Sequence, residues 1–423
     1  MVKPIVFGGY VNGYGIIRSF ANKGIKSILI ERKGNKSAST ASRYVEKTYY
    51  FSDPDLEKDN FLMEMIELGK KLAPNRGMLF PTHDEYVITL WKNQELLEKY
   101  FDFPMSEWNK IRLLINKKEL YSVCEDLGIA YPKTKEIKSY EEYKNIIDDF
   151  MFPIIIKPSI WNSNLIAELG KKVLIFNEKT EALKFVEKVY SKKVGSLLIQ
   201  EYIEGSLKQM PNITVFCAPE GKIKSWSVSI KERQFPPCSG TATLTSIISP
   251  DLKMCQDTLE LTKRIVEHIG FYGVCDAEYM YDVRDGKYKM IEINTRFHMQ
   301  NYMVCASGVD MVYYIYCEHQ KLPYKYNRIP KRFVSWCKPI EDRYNAVKYN
   351  KKKYPNYSMT NKEWKKSIPK DTIGIVDNPK DFKVYWRYVV NVYRKVIGNK
   401  IREIFGISET TSLKKIIIKN RKN

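Results

Sequence analysis

The sequence is poor in the residues that usually announce metal or redox chemistry. It has 423 residues but only four histidines, and its eight cysteines (Cys124, Cys217, Cys238, Cys255, Cys275, Cys305, Cys317 and Cys337) include no C-x-x-C pair. That absence gives no basis for a zinc site or a disulfide-stapled fold, and reduced thiols in the cytoplasm are the expectation. No run of 18 apolar residues occurs, so no membrane-spanning helix is expected. The opening Ile5-Val6-Phe7-Gly8 reads as a buried strand and not as a signal peptide. Internal repeats are lacking as well. Positive charge, by contrast, is abundant: 70 Lys and Arg against 49 Asp and Glu leave a formal net charge of +21. Such a balance favours anionic partners, whether nucleotides, nucleic acid, anionic lipid or an acidic substrate, and does not choose among them. With 44% hydrophobic residues the chain can bury the cores of two or three domains.

Residues 1–110 alternate short apolar runs with helical patterns. Pro4-Ile5-Val6-Phe7, Ser27-Ile28-Leu29-Ile30 and Met78-Leu79-Phe80-Pro81 read as strands, and Gly15 to Lys23 as a helix. This rhythm predicts a parallel sheet covered by helices. The loop from Gly8 to Gly15, followed by Glu31 at the end of the second strand, is similar to a dinucleotide fingerprint but lacks the G-x-G-x-x-G spacing. It can serve as a tight turn or receive an anion at a helix N-terminus. Residues 111–200 open with a helix from Lys117 to Leu127 closed by Gly128, then give a helix from Tyr140 to Phe150 between strands. Strands dominate from 213 to 300, interrupted by a helix from Leu252 to Ile269. Beyond 322, Lys, Tyr and Trp become dense, and 323–423 reads as a basic C-terminal appendage.

The segment Asp276-Ala277-Glu278-Tyr279-Met280-Tyr281-Asp282, a turn at Arg284-Asp285-Gly286, and Lys289-Met290-Ile291-Glu292-Ile293-Asn294-Thr295-Arg296 predict a β-hairpin. A three-residue loop centred on Asp285 puts position 278 opposite 292. Period-two alternation then gathers Glu278, Glu292, Asn294 and Arg296 on one face while Ile291 and Ile293 enter the core. Two carboxylates and an amide oxygen form a hard, all-oxygen site suited to magnesium, which takes its remaining ligands from phosphates and water. An arginine beside it can stabilise charge on a transferred phosphoryl group. The competing reading is a solvated polar face.

Lys157 follows the apolar Ile154-Ile155-Ile156 and precedes Pro158, a position from which it would protrude into a cleft and hold a phosphate as a point charge. Lys117 opens a helix, where the backbone is already electropositive. Either lysine alone is more often an ordinary surface residue. Gln200-Glu201-Tyr202-Ile203, at the end of the strand Leu198-Ile199, can offer backbone groups to an adenine edge or be a plain interdomain connection.

The ordered set Lys117, Lys157, Gln200-Glu201-Tyr202-Ile203, Glu278 and Glu292-Ile293-Asn294-Thr295-Arg296 resembles the ATP-grasp superfamily over about residues 1–320. The segments Ile16-Ile17-Arg18-Ser19-Phe20, Ser42-Arg43-Tyr44-Val45, Phe80-Pro81-Thr82-His83-Asp84 and Ser229 to Pro236 look like its D-aspartate ligase and carbamoyl-phosphate-synthase-like branch. The resemblance implies a mixed α/β and α+β chain: a Rossmann-like domain (1–110), a central lid subdomain (111–200), a catalytic subdomain (201–322) and the basic appendage (323–423). It implies that Lys117 and Lys157 hold ATP phosphates, that Gln200, Glu201, Tyr202 and Ile203 hold adenine, and that Glu278, Glu292 and Asn294 bind two Mg2+ ions. Arg296 would assist transfer, and Lys231 and Arg233 would contact phosphate or the substrate carboxylate. Two departures stand out: Ser159-Ile160-Trp161-Asn162-Ser163-Asn164 lacks the glycines common in the family's phosphate-covering loop, and Thr295 stands where many members have Pro.

The implied reaction makes an acyl phosphate from a carboxylate and ATP, then an amide from an amine, with closure of the central domain excluding water. The implied partners are a small amino acid and an amine acceptor, such as a peptidoglycan-type precursor, with no nucleic acid. A soluble ligase joining small amino acids and a non-catalytic nucleotide-binding regulator are the rival readings. In the tail, Trp386, Val389, Val390, Tyr393, Val396, Ile397, Ile401, Ile404 and Phe405 follow helical spacing with basic residues between them. That face either packs on the main body or meets the anionic inner face of a membrane.

Overall fold

The computed structural model of the chain describes residues 2–158, 173–191, 195–237 and 240–404, with side chains up to Arg394. Two compact units result. The first comprises Met1–Ile129, Gly205–Tyr281 and Gly286–Val389; the second is built on Ala130–Glu204 and takes in Asp282–Asp285 and the residues from Val390 on. The helix Lys117–Asp126 thus belongs with the first unit, so the units do not follow the sequence segments one to one.

The first unit begins with a parallel sheet of β1 (Lys3–Phe7), β2 (Ser27–Arg32), β3 (Val45–Phe51), β4 (Gly77–Pro81) and β5 (Phe101–Asp102), in the order β3-β2-β1-β4-β5. β1, β2 and β4 are near-continuous apolar runs and are buried along almost their whole length, as strands covered on both faces are. β3, at the edge, exposes Glu46 and Lys47, charges that blunt an open edge.

The glycine loop is shorter than its sequence suggests. The helix starts at Val11 and runs to Ala21, leaving Gly8, Gly9 and Tyr10 as the turn. Gly8 has φ +79°, which glycine adopts without strain. Gly13 lies inside the helix because of a close approach: a Cβ there would sit 1.9 Å from the Gly8 carbonyl oxygen. The helix is buried from Val11 to Phe20. Phe20 meets Phe80 and Tyr316 edge-on at 5.1 and 5.4 Å, and Ser19 donates to Asp310, so the helix is clamped between its own sheet and residues far along the chain.

The second unit holds an antiparallel sheet, β6 (Thr134–Ile137), β7 (Ile154–Pro158), β8 (Leu174–Phe176) and β9 (Leu197–Glu201), in the order β6-β9-β7-β8. Its core combines Ile154, Ile156, Leu197 and Ile199 from the strands with Tyr143 of the helix Tyr140–Ile146 and Val186 of the helix Lys179–Tyr190.

The remaining strands of the first unit form a seven-stranded sheet: β10 (Pro211–Cys217), β11 (Ile223–Phe235), β12 (Thr241–Ile247), β13 (Gly273–Asp282), β14 (Lys287–Asn294), β15 (Ser335–Cys337) and β16 (Thr372–Gly374), in the order β14-β13-β10-β11-β12-β15-β16. The stretch 323–423 therefore contributes two strands to this sheet. The helix Lys253–Ile269 buries Cys255, Thr258, Thr262, Ile265, Val266 and Ile269 and stops at Gly270, whose φ of +64° forms a left-handed cap. The hairpin loop between β13 and β14 is four residues, 283–286, where three were expected. Ile293 enters the core, but Ile291 is only half-buried because β14 is the sheet's edge strand. Among the described residues, no helix is long and apolar enough to cross a membrane.

The packing of the first helix gives a direct expectation. Gly13→Ala should destabilise the first unit by about 1–3 kcal/mol, because backbone and not a flexible side chain occupies the space. Gly195→Ala, which meets nothing within 4 Å, should change stability by less than about 0.5 kcal/mol. Urea unfolding of both variants measures the difference.

Candidate active site

The hairpin sets the site. From β11, Lys231 reaches Glu278 on β13, Nζ to Oε2 3.1 Å; Asn212 of β10, the strand between them, also donates to Glu278 at 3.4 Å. Lys117 reaches Glu292 on β14 at 2.8 Å. It stands in the first turn of the helix Lys117–Asp126, which Asn116 caps by accepting the Lys118 N–H at 3.0 Å. The Tyr121 hydroxyl on the same helix donates to the Ile291 carbonyl at 3.0 Å, fixing helix against strand. Asn294 donates to Glu292 at 3.4 Å and accepts from Arg296 at 3.3 Å. Arg296 in turn pairs with Asp84 at 2.7 Å. Asp84 begins a helix just past the C-terminal end of β4, the edge at which open parallel sheets bind ligands.

Lys117, Lys231, Glu278, Glu292, Asn294 and Arg296 are thus brought into one connected array. Its charges sustain one another. Burial works against the Lys231 ammonium, but Glu278, then Glu292 and Asp276, outweigh it and raise its pKa. For Lys117, burial is likewise overcome by Glu292, and for Arg296 by Asp84, so both are held more firmly cationic. Burial pushes His83 below the usual imidazole range; Glu85 opposes this, while Arg296 and Arg32 add to it.

Several members of this region were not singled out from the sequence. Asp276 is 2% exposed and accepts from Asn212 and Thr214, each at 2.9 Å; Thr214 also lies 3.0 Å from His298 Nε2. The signal was available, since Asp276 and Glu278 are two apart on one strand and share a face. Asp84 carried no comparable signal, because its partner Arg296 lies more than 200 residues away.

Arg233 departs from expectation. Residues 231 and 233 would share a face on a regular strand, but β11 shifts register between them, and a bulge re-aims the side chains. Arg233 instead grips Asp342 with Nε at 3.0 Å and Nη2 at 2.7 Å, and Thr243 and Trp364 complete that buried carboxylate. Its place is structural. Glu31 is likewise occupied: it is fully buried and accepts from the Gly9 N–H at 2.7 Å and from Asn35 at 2.9 Å. It braces the glycine turn, which leaves no ribose-binding acid for a dinucleotide reading.

In the second unit, Lys157 does not protrude from a strand end. It pairs with Leu198 within the sheet, is buried, and donates to Gln200 Oε1 at 2.7 Å; Gln200 donates onward to Thr134 at 2.8 Å. The Glu201 carboxylate accepts from the Lys133 N–H and from Arg284, both at 2.9 Å. Only backbone therefore remains at 201–203 for an adenine edge. Tyr202 N–H donates to the Pro153 carbonyl, whereas the buried Ile203 N–H makes no hydrogen bond among the described residues. The loop Ser159 to Asn164 lies outside the described residues.

The residues present fit the groups the sequence implied. A buried backbone donor awaiting an acceptor suits an adenine ring nitrogen. Glu278, Glu292 and Asn294 offer hard oxygens, and no group of three or more His, Cys, Asp or Glu among the described residues is placed to hold a metal. Such a site suits Mg2+, which completes its shell with phosphate oxygens and water.

Glu278→Gln and Glu292→Gln should each lower ATP-dependent phosphate release by more than about 100-fold with the chain still folded, though less stable because Lys231 or Lys117 loses its counter-charge. Arg233→Ala should behave in the opposite way, costing about 3–5 kcal/mol of stability by stranding the buried Asp342. Phosphate-release assays and thermal melts on the three variants separate the two roles.

Comparison with known proteins agrees with this geometry. The model of the carbamoyl-phosphate synthase L chain, ATP binding domain, matches residues 251–316, which include the hairpin. A D-aspartate ligase of Enterococcus faecium is 24% identical over 322 residues, covering 74% of this chain and 75% of that one. A carbamoyl phosphate synthase large chain of Clostridium perfringens is 23% identical over 298 residues, covering 70% of this chain and only 26% of that one, so this chain spans about a quarter of its length. In fold, an N5-carboxyaminoimidazole synthetase from Staphylococcus aureus complexed with ADP is similar, with a TM-score of 0.64, 13% identity, and coverage of 84% of this chain and 86% of that one. Array, fold and sequence likeness converge: the chain shares the fold of an ADP-binding synthetase, carries a match to the carbamoyl-phosphate synthase ATP binding domain over its hairpin, and is similar along about three quarters of its length to a D-aspartate ligase, a likeness that points to the ATP-grasp ligases, which join carboxylate to amine with ATP and Mg2+.

Proposed function

We propose that this ligase activates the carboxylate of an amino acid and joins it to an amine on a cell-envelope precursor. The likeness to D-aspartate ligase supports this reading, and aspartate of D configuration is the first acid to try. The observation that carries the chemistry is the pair of carboxylates on one hairpin, each braced by a lysine from a different segment, Glu278 by Lys231 and Glu292 by Lys117.

In this reading an oxygen of the substrate carboxylate attacks the γ-phosphorus of ATP, the bond to the bridging oxygen breaks, and ADP leaves. The amine then attacks the acyl carbon, phosphate departs, and the nitrogen loses a proton. Lys117 and Lys157 hold phosphate oxygens, and the backbone at Glu201 to Ile203 holds adenine. Glu278, Glu292 and Asn294 hold two Mg2+ ions, which would neutralise charge on the phosphate oxygens. Lys231 holds the Glu278 carboxylate in place. Arg296, fixed by Asp84 and Asn294, presents its guanidinium to the charge that builds on the transferred group. Arg233 is engaged by Asp342 and is given no role in transfer in this reading. An acceptor carried on a lipid would bring the enzyme to the inner membrane face.

With ATP, Mg2+, hydroxylamine and the correct acid, but no acceptor amine, an acyl hydroxamate should accumulate in step with ADP. AMP and pyrophosphate from an acid that is a true substrate would replace the acyl phosphate with an adenylate. Turnover with a second free amino acid and none with an envelope peptide would move the acceptor into soluble metabolism. Lys157→Ala should weaken ATP binding about tenfold or more, as a charge-assisted phosphate contact is lost; titration with the nucleotide reads this directly.

A further inference from the structure

The C-terminal helix Phe382–Ile404 has two apolar faces where a docked helix needs one. Val384, Tyr388 and Val392, four residues apart, are buried, and the Tyr388 hydroxyl donates to Glu341. A helix turns about 100° per residue, which puts Phe382, Trp386 and Tyr393 on the opposite side. These three are 59%, 61% and 57% exposed, and Tyr385 and Val390 beside them are exposed as well. Core packing of Trp386 and Tyr393, one of the two expectations from the sequence, is thereby excluded. Lys383, Arg387 and Arg394 fall in a row along one edge of the aromatic face, all exposed. Arg387 also donates to the Thr40 hydroxyl. No Asp or Glu occurs from Phe382 to Arg402, whereas six Lys and Arg do. Val396, Ile397, Ile401, Ile404 and Phe405 lie beyond the described side chains and take no part in the argument.

We infer that this face is a membrane-surface element that seats the enzyme on anionic lipid. Tryptophan and tyrosine favour the boundary between headgroups and acyl chains, where the ring is covered and its polar edge stays wet. A row of cations beside them meets lipid phosphates, and the lack of acids removes repulsion from a negative leaflet. The chain's net charge of +21 points the same way. The occupant is a lipid surface and not another protein because the patch combines a single sign of charge with aromatic rings and carries no acid to pair with a partner's cations. The inference does not depend on the ligase's substrate, and its test needs no turnover.

The experiment is co-sedimentation of the full chain with phosphatidylcholine vesicles, with and without phosphatidylglycerol, at low and high salt. Binding should require phosphatidylglycerol and weaken with salt. Trp386→Ser combined with Tyr393→Ser, and separately Lys383→Glu combined with Arg394→Glu, should each lower the bound fraction about tenfold or more. All four side chains are exposed, so the variants should fold, and circular dichroism checks that they do. No binding to anionic vesicles by the unaltered chain, or binding by both variants equal to that of the unaltered chain, overturns the inference. So does self-association by light scattering that the Trp386→Ser pair abolishes without any vesicle binding, which would give the face to a second copy of the chain.

Discussion

Two carboxylates on neighbouring strands repel each other unless something cationic stands between or beside them. Glu278 and Glu292 are in that position, and both act on Lys231, which bonds to the first, while Lys117 bonds to the second. Much of the first unit's arrangement serves these two ion pairs. β11 must lie two strands from β13 for Lys231 to reach across β10. The helix Lys117–Asp126 must end against β14, which the Tyr121 hydrogen bond to Ile291 secures. Arg296 must leave β14 towards the parallel sheet, where Asp84 meets it. In the proposed function, Lys117, which neutralises Glu292 here, is the lysine that meets a nucleotide phosphate.

The elements with strong local signals were legible from the sequence. Apolar runs gave the parallel strands, Gly128 marked a helix end, and period-two alternation put Glu292, Asn294 and Arg296 into one array. What escaped was decided by long-range partners. Arg233 was read as a contact to phosphate because it lies two residues from Lys231, but one bulge in β11 hands it to Asp342, more than 100 residues away. Glu31, which with the glycine loop was similar to a dinucleotide fingerprint, is a brace for the glycine turn. Gly13 looked like part of a loop and is a close approach inside a helix. Lys157 looked exposed and is buried, because β7 continues through it to Pro158 and Gln200 supplies the partner.

The same contrast separates the parts of the site. Groups that do chemistry are held by charge, so they carry type and spacing that a sequence displays. A backbone donor carries no such mark: at Ile203, the position proposed for adenine, the side chain says nothing of an N–H that has no partner among the described residues. The Glu201 side chain, conspicuous in sequence, is tied to Lys133 and Arg284 and only shapes the strand end.

The central claim is that phosphoryl transfer to a substrate carboxylate precedes amide formation, and the fate of one oxygen atom tests it most directly. With the substrate acid labelled with 18O in its carboxylate, and acceptor, ATP and Mg2+ present, one labelled oxygen per amide formed should appear in inorganic phosphate, because that oxygen bridges carbon and phosphorus in the acyl phosphate. Phosphate free of label, with the departing 18O found in AMP or in water, would contradict the account.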